Sequence, residues 1–440
     1  MRLALAAAGA VLASLVLGAP ADALARPDAA GRPAALAGLQ HPVRVVRDRL
    51  GVPHVYARND HDVFFMNGYL HAQDRFFEMD DARRLADGAR AELLGAGDGD
   101  QELSFDVFVR TLGLRRAAQR SAAAYPAWVM ADLRAYADGV NLWLARNPLP
   151  AEYGALELTK ASVPPWTPVD SILIFKFIST ELSLFSDVQD LSNSALLSAY
   201  EDSGQARGFD GTKLFFEDVA RRDPFDRAVS IAPAASSGAV SAEQGSRRAR
   251  PALERKQVSA VAELVRRAEG LGLGRPSASG SNWWLLSGAR SATGFPLLAG
   301  DPHLQLTSPP VWHEIGLNVA AGGDDDDGPR GAAPQDAAMN VYGTNFPGVP
   351  GLVHGFNDRL MWSSTTNQLD VTDFFQERVV VKGGVPVATL YKGEAEPLVT
   401  IPRRSAPTEW TERRTTPSRW LRVCVPAAFR CRARRSSCRA

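Results

Sequence analysis

The adjacent residues Gly280 and Ser281 are the strongest candidates in the sequence for nucleophilic chemistry. A serine hydroxyl is a poor nucleophile at neutral pH and needs a base within hydrogen-bonding reach. The sequence around Ser281 lacks the G-x-S-x-G spacing of a nucleophile elbow. If the chain were cut before Ser281, the freed α-amine, with a pKa of about 8, could act as that base on the same residue. Gly280 has no side chain to shield its carbonyl from the hydroxyl, so the pair predicts self-cleavage, although a Gly-Ser dipeptide alone is a weak signal.

Two groups of carboxylates are candidates for cation binding. The segment Asp370-Val371-Thr372-Asp373 offers two carboxylates and further hard oxygen donors, which are the ligands that calcium prefers. By itself, a D-x-x-D pattern has low specificity. The run Asp324–Asp327 lies among Gly, Pro and Ala residues and is interpreted as a solvated loop without a function.

The candidate nucleophile needs a rigid element to position it, and the sequence predicts one directly after it. The run Asn282–Leu286 is apolar from Trp283 onward and has the length of a strand, which is typical of a strand buried between two layers. Trp283 and Trp284 are therefore predicted to be core or pocket wall. Upstream, the sequence predicts a strand over 43–48, a turn at 51–53, and helices over 62–94, 126–147 and 169–200.

Composition divides the chain into segments. Aromatic residues vanish between 228 and 280, which predicts a spacer over 230–280 between one region at 26–229 and another at 281–401. From Pro402 onward, eleven arginines against two glutamates give a net charge of +9. We interpret 402–440 as an aberrant basic tail without strand alternation, the product of a frame shift or a truncation, with a genuine basic tail as the alternative. All three cysteines lie in this tail: Cys424, Cys431 and Cys438.

The first 25 residues predict a secretory signal peptide. Met1-Arg2 precedes an apolar run from Leu3 to Gly18, and small residues suited to cleavage follow. The run is shorter than the roughly 20 residues that span a bilayer, which favours cleavage over the alternative of a membrane anchor. The predicted location is secreted or periplasmic, with no membrane span after signal removal. Because the body of the chain lacks cysteine, it is expected to fold without disulfides.

The overall composition excludes several classes of protein. The chain has 440 residues, 45% of them hydrophobic and 22% charged, so it can bury a large core and is not a disordered polymer. Lysine plus arginine and aspartate plus glutamate both total 49, so bulk charge gives no reason to expect a nucleic-acid partner. No internal repeat is visible.

Three blocks of the sequence together resemble the penicillin acylase family of N-terminal-nucleophile hydrolases. Residues 280–304, GSNWWLLSGARSATGFPLLAGDPHL, closely resemble the start of the family's β chain. Residues 47–95, RDRLGVPHVYARNDHDVFFMNGYLHAQDRFFEMDDARRLADGARAELLG, are similar to the opening of its α chain. Residues 346–377, FPGVPGLVHGFNDRLMWSSTTNQLDVTDFFQE, resemble the β-chain hairpin and metal loop. The resemblance implies an α+β fold, a four-layer αββα sandwich of two antiparallel sheets between helices, incomplete at its C-terminal end.

The resemblance also assigns roles to residues. It implies that Gly280-Ser281 is the autocleavage bond, that Ser281 is the nucleophile, and that its own α-amine is the base. It implies that His303 steadies the hydroxyl of Ser281, with a structural turn histidine as the alternative. The backbone amide of Thr366 matches a donor of the family's oxyanion hole. Phe185 lies near the family's acyl-pocket aromatic and could equally be core.

Calcium is the cofactor that the resemblance implies, as a structural ion, and no organic cofactor is expected. The loop with Asp370, Thr372 and Asp373 corresponds to the family's calcium loop. Asp190 corresponds to the acidic ligand of the α chain, where the penicillin G enzymes usually have glutamate. Asp74 and Arg75 are expected to form structural ion pairs rather than to do chemistry.

The implied activity is hydrolysis of the amide bond of an N-acylated small molecule by a secreted enzyme. Candidate substrates are β-lactam antibiotics, N-acyl-homoserine lactones and acylated lipopeptides, and the expected partner chains are the α and β chains of one precursor. Family β chains continue further, and their distal part supplies an asparagine of the oxyanion hole that has no counterpart here. Two alternatives therefore stay open: an inactive truncated member of the family, and a secreted binding protein without catalysis.

Overall fold

The computed structural model describes residues 36–219, 266, 281–304, 306–320, 337–365, 377–404 and 420–426. For residues 183–191, 337–338, 400, 402–404 and 420–426 it describes the backbone alone. The predicted signal peptide lies outside the described residues, as does the predicted spacer except for Arg266, and both stay predictions.

Eight α-helices occur in the described part of the chain. They are α1 (Asp60–Asp87), α2 (Ala91–Leu94), α3 (Gln101–Leu112), α4 (Leu114–Ala124), α5 (Ala127–Arg146), α6 (Ala151–Ala155), α7 (Pro168–Arg207) and α8 (Gly211–Asp218). None of these described helices is long and apolar enough to cross a membrane. The helix predicted over 126–147 is confirmed as α5.

The helix predicted over residues 62–94 is in fact two helices. α1 ends at Gly88, which has a left-handed φ of 67° and whose amide donates to the carbonyls of Arg84 and Leu85. A residue without a Cβ takes this conformation without strain, and it stops the helix. The sequence prediction was wrong here because the apolar pattern continues across this glycine.

α7 begins with a capping box and is longer than the predicted 169–200. The side chain of Thr167 caps the first turn, the side chain of Asp170 accepts a hydrogen bond from the Thr167 amide, and Pro168 starts the helix. These contacts satisfy amide groups that have no partner within the helix. The helix continues to Arg207 and ends at Gly208, which has a φ of 79°.

Twelve strands occur in the described residues, and they form three sheets. The strands are β1 (Arg44–Arg47), β2 (Pro53–Ala57), β3 (Ser281–Leu286), β4 (Leu297–Pro302), β5 (His313–Ala320), β6 (Ala337–Asn345), β7 (His354–Phe356), β8 (Met361–Trp362), β9 (Arg378–Lys382), β10 (Val385–Tyr391), β11 (Glu394–Arg404) and β12 (Trp420–Pro426). The largest sheet has the order β1-β2-β5-β6-β7-β8, the second has the order β12-β11-β10-β9, and β3 pairs with β4.

The six-stranded sheet is mixed, whereas the family resemblance implied antiparallel sheets. β2 and β5 run parallel, with Val55 opposite Leu317, and the other four pairings in this sheet are antiparallel. Parallel neighbours need a long connection, and more than 250 residues separate these two strands. β1 and β2 precede Gly280 and β5 to β8 follow it, so the regions on both sides of the predicted cleavage bond build one sheet.

A helical layer covers this sheet. α1 contacts β2 and β5 and packs against α5 and α7. The crossing of α1 and α5 is close because a Cβ on Gly68 would overlap the carbonyl oxygen of Tyr136, and one on Gly139 would overlap that of Phe65. The α+β class is thereby confirmed, and the four-layer arrangement stays a prediction.

The strand after the candidate nucleophile is exposed, contrary to the prediction. β3 pairs with β4 as a two-stranded sheet. Trp283 is 45% exposed and Trp284 is 64% exposed, so neither belongs to the core of the described residues. Apolarity on both faces predicted a covering layer on each side, but Trp283 and Trp284, which alternate between the two faces, are both exposed.

The expectation that the chain beyond residue 401 lacks strand alternation is contradicted by the structure. β11 continues to Arg404, and β12 pairs with it antiparallel, with Ile401 opposite Val423. The alternation of Leu421, Val423 and Val425 with polar neighbours was the strand signal in this segment. The strand was missed because arginine and cysteine dominate the composition around this short pattern, and the interpretation of 402–440 as an aberrant tail stays a prediction.

Candidate active site

Ser281 is the first residue of β3 and is held there by contacts of its backbone. It lies opposite Pro302 in the antiparallel register of β3 and β4. The hydroxyl of Thr365 donates a hydrogen bond to the carbonyl oxygen of Ser281 over 3.0 Å. Ser281 and Thr365 are both half-buried. The candidate nucleophile is therefore fixed from two directions, by the hairpin and by the segment that contains Thr365.

His303 follows the last residue of β4 and contacts the residues beside the nucleophile. Its Nε2 atom lies 3.1 Å from a carboxylate oxygen of Asp301 and 3.3 Å from Nδ2 of Asn282. Asn282 lies opposite Asp301 in the register, and side chains that face each other across two strands share one face of the sheet. Ser281 precedes Asn282 and alternates to the other face. The structure thus brings His303 to Asn282, and its predicted action on the Ser281 hydroxyl stays a prediction.

A histidine on β7 anchors the segment that carries Thr365. The Nδ1 atom of His354 accepts a hydrogen bond from the amide of Ser364 over 3.1 Å, and it lies 3.0 Å from Oγ of Ser363. Its ring packs edge-on against Trp312, with the ring centroids 4.8 Å apart. Burial lowers the pKa of His354, which favours the neutral ring that can accept at Nδ1.

The same segment packs on the hairpin of Ser281. A Cβ on Gly300 of β4 would overlap the hydroxyl of Ser363. Gly300 lies opposite Trp283 in the register. The glycine therefore permits the close approach of residues 363–365 to the hairpin.

A buried polar network joins the regions before and after Gly280. The amide of Gly348 donates to the hydroxyl of Tyr136 over 3.1 Å, and that hydroxyl lies 2.6 Å from Nδ1 of His71. Nε2 of His71 lies 3.0 Å from Oδ1 of Asn345. The Nδ2 group of Asn345 donates to the carbonyl of Gly351, so its Oδ1 is the atom that faces His71.

Asp74 takes part in a structural ion pair, as the sequence predicted. Arg47 contacts its two carboxylate oxygens at 2.7 and 3.0 Å, and Nε2 of His313 lies 3.0 Å from Oδ2. Burial alone would raise the pKa of Asp74, but the hydrogen bonds from His313 and Arg47 outweigh it and hold the pKa below its ordinary value. Arg75 instead reaches the carbonyl of Pro310 at 3.5 Å.

Several predicted site residues lie outside the described part of the chain. These are Gly280, Thr366, Asp370, Thr372 and Asp373. Asp190 and Phe185 belong to α7, but their side chains are not among the described ones. In the described residues, no group of three His, Cys, Asp or Glu could hold a metal ion. The calcium site and the oxyanion donor thus stay predictions.

Thr365 and His354 are site residues that the sequence analysis missed. Both lie in the block 346–377, in which the predicted site residues are Thr366 and the carboxylates that follow it. The adjacent pair Thr365-Thr366 was the available signal, since a hydroxyl beside a candidate oxyanion donor can contact the same nucleophile. His354 gave no local signal, because its partners come from tertiary packing.

The chain belongs to the penicillin amidase family. The family model described as Penicillin amidase matches residues 42–415. The match extends past residue 401, where the sequence analysis placed the end of the resemblance, and it covers both regions that build the six-stranded sheet.

Individual relatives are two kinds of acylase. Penicillin acylase 2 proenzyme of Pseudomonas sp. (strain SE83) is 30% identical over 357 residues, which is 79% of this chain and 39% of that protein. Acyl-homoserine lactone acylase QuiP of Pseudomonas aeruginosa is 29% identical over 353 residues, which is 79% of this chain and 35% of that protein. Penicillin G acylase of Escherichia coli is 27% identical over 372 residues, which is 77% of this chain and 40% of that protein. The chain thus spans between 35% and 40% of the length of these relatives.

Among solved structures, the thermostable penicillin G acylase from Alcaligenes faecalis is 34% identical to this chain. The match covers 44% of this chain and 98% of that chain, with a TM-score of 0.38.

Proposed function

We propose that this chain is the precursor of a secreted hydrolase that cleaves the amide bond of an N-acylated small molecule, with Ser281 as the N-terminal nucleophile. Membership of the penicillin amidase family supports the reaction class. The observation that carries the proposal is the position of Ser281, which begins β3 and whose carbonyl is bound by Thr365. A nucleophile needs this kind of fixed backbone, because reaction rates fall steeply with misplacement.

Maturation frees the amine that the nucleophile needs. The Ser281 hydroxyl oxygen attacks the carbonyl carbon of Gly280, a C–O bond forms, and the Gly280–Ser281 C–N bond breaks. The proton of the hydroxyl ends on the nitrogen of Ser281. Water then hydrolyses the ester to give a carboxylate on Gly280 and a free α-amine and hydroxyl on Ser281.

Hydrolysis of substrate repeats this chemistry on another amide. The α-amine of Ser281 takes the proton of its hydroxyl while the oxygen attacks the acyl carbon, and the amide of Thr366 donates to the oxyanion that forms. The proton passes to the leaving amine as the C–N bond breaks. Water then attacks the acyl ester, and the acid leaves Ser281 in its starting form.

The substrate class is proposed from the relatives. Those named above are a penicillin acylase 2 proenzyme, an acyl-homoserine lactone acylase and a penicillin G acylase. What β-lactam antibiotics, N-acyl-homoserine lactones and acylated lipopeptides share is an acyl group on a small amine. We therefore propose N-acylated small molecules as the substrates.

We also propose that a structural calcium ion binds Asp190, Asp370, Thr372 and Asp373. The donor set supports this, because carboxylate, hydroxyl and carbonyl oxygens suit calcium. The ion would hold the β-chain loop against helix α7. The ion has no part in the proton transfers, which the α-amine and the hydroxyl of Ser281 carry out.

The proposal is tested by measuring release of free amine from penicillin G and from an N-acyl-homoserine lactone. The full chain and its Ser281→Ala variant are compared, with Ser291→Ala as the matched control, because Ser291 is a half-buried serine in the β3–β4 connection whose hydroxyl bonds that of Thr293. Activity in the wild type and in Ser291→Ala, with loss in Ser281→Ala, is the expected result. Equal activity in all three, or activity in none of them, would refute the proposal.

A further inference from the structure

We infer that Thr365 is a positioning residue that sets the backbone of Ser281 for attack. The inference rests on the proposed function, since it gives the hydroxyl of Thr365 a task in the same reaction. The contact is a hydrogen bond of 3.0 Å from Oγ1 of Thr365 to the carbonyl oxygen of Ser281, between residues 84 positions apart.

The bond fixes the side of Ser281 that the strand ladder leaves free. β4 pairs with β3 along one edge, and Ser281 is the last position of that ladder. A terminal strand residue frays unless its backbone is held by another contact. Thr365 supplies that contact at the carbonyl, so the remaining freedom at Ser281 is chiefly the rotation of its own hydroxyl-bearing side chain.

Thr365 is itself held in place by its neighbours. His354 accepts the amide hydrogen of Ser364 at Nδ1, and Ser363 packs on the bare backbone of Gly300. These two contacts connect β7 of the large sheet with β4 of the hairpin. The position of Ser281 relative to the large sheet therefore depends on His354 through the segment 363–365.

Two substitutions of Thr365 test the effect of its hydroxyl group separately from the effect of its shape. Valine has nearly the volume of threonine but cannot donate a hydrogen bond, whereas serine keeps the donor and loses a methyl group. A displacement of about 1 Å at a reacting group can cost roughly a hundredfold in rate. We expect Thr365→Val to slow cleavage before Ser281 by about tenfold to a hundredfold, and Thr365→Ser to restore most of the rate.

The first experiment follows conversion of the full precursor by mass spectrometry, and then measures kcat and KM for amine release. The variants are Thr365→Val and Thr365→Ser, with Thr111→Val as the matched control. The hydroxyl of Thr111 donates to the carbonyl of Val107 on α3, an exposed bond of the same kind in the helical region. The inference is supported if Thr365→Val slows conversion of the precursor and lowers kcat for amine release while KM changes little. Thr365→Ser should restore both quantities.

A second pair of variants covers the case in which Thr365→Val does not fold. His354→Phe keeps a ring against Trp312 but removes the acceptor, whereas His354→Asn places an amide oxygen near the position of Nδ1. We expect His354→Phe to slow cleavage before Ser281 and His354→Asn to restore most of the cleavage rate, with equal melting temperatures for the two variants. Equal rates in both variants would overturn the role of this anchor.

The outcomes distinguish this inference from the proposed function. If the wild type is cut and hydrolyses amides while Thr365→Val does so at the same rates, the inference is overturned and the proposed function stands. If serine fails to rescue a slow Thr365→Val, the hydroxyl is not the cause and the inference is again overturned. A wild type that is neither cut nor active overturns both.

Discussion

His71 and Asn345 are hydrogen-bonded over 3.0 Å although 274 residues separate them, and the predicted cleavage bond lies between them. The network continues from His71 to Tyr136 and from there to the amide of Gly348. The side chains of His71, Tyr136 and Asn345 are fully buried. Such a network loses much of its stabilisation if one member is removed, because the partners are then left buried and unsatisfied.

The two chains are therefore expected to stay together after cleavage. The shared sheet and the His71–Asn345 bond predict a single peak in gel filtration that contains both chains. His71→Ala should weaken this association and lower the urea concentration at which the chains separate, whereas His41→Ala should not, since His41 is exposed and lies before β1. Chains that separate without denaturant, or a His71→Ala variant as resistant as His41→Ala, would contradict this prediction.

Stability is expected to fall with pH below about 6.5 because of His71. Burial lowers the pKa of His71 well below its ordinary value, and the nearby charges of His313 and Arg75 act in the same direction. The unfolded chain thus binds a proton that the folded chain does not, so this contribution is complete above about pH 6.5 and is lost as the pH falls.

The measurement is the melting temperature between pH 8 and pH 5, compared with that of His71→Gln. Glutamine can accept from Tyr136 and donate to Asn345, but it does not titrate in this range. We expect the wild type to lose more stability than the variant as the pH falls. Parallel curves for the two proteins would show that His71 is not the titrating group.

The close crossing of α1 and α5 predicts opposite effects for two glycine substitutions. Gly139→Ala places a methyl group against the carbonyl oxygen of Phe65 and should destabilise the fold by about 1–3 kcal/mol. Gly154→Ala, in α6, meets no atom within 4 Å and should stabilise it by about 0.5–1 kcal/mol through helix propensity. Urea denaturation measures both. A harmless Gly139→Ala would mean that the two helices do not approach this closely.

Calcium is expected to affect maturation. If the proposed ion holds the β-chain loop against α7, then Asp370→Ala or Asp190→Ala should slow conversion of the precursor, and a chelator should do the same to the wild type. Asp358→Ala is the matched control, since Asp358 lies in the exposed turn between β7 and β8. Normal processing of both ligand variants in the presence of chelator would remove the calcium proposal.

Local sequence signals predicted some elements of this molecule well. The periodicity over 126–147 gave α5 nearly to the residue, and the polar pair Thr167 and Asp170 is a visible start signal for α7. Gly88 was also visible as a stop signal, but the apolar pattern on both sides of it suggested one helix. These features depend on residues within a few positions of one another, which is the range over which propensity and capping act.

The parts that could not be predicted depend on contacts between distant residues. The parallel pairing of β2 with β5 joins residues more than 250 positions apart, and nothing in either strand specifies the direction of its neighbour. The exposure of Trp284 depends on which strands lie over the hairpin rather than on its own apolarity. The bond from Thr365 to Ser281 results from the packing of residues 363–365 against His354 and Gly300, which no local pattern encodes.

The most direct test of Ser281 as an N-terminal nucleophile is the N-terminal sequence and intact mass of the protein isolated from its native source. We predict two chains that co-purify, one of which begins at Ser281 with a free α-amine. A single chain in which the Gly280–Ser281 peptide bond is intact would contradict it, because Ser281 would then have no amine to act as its base.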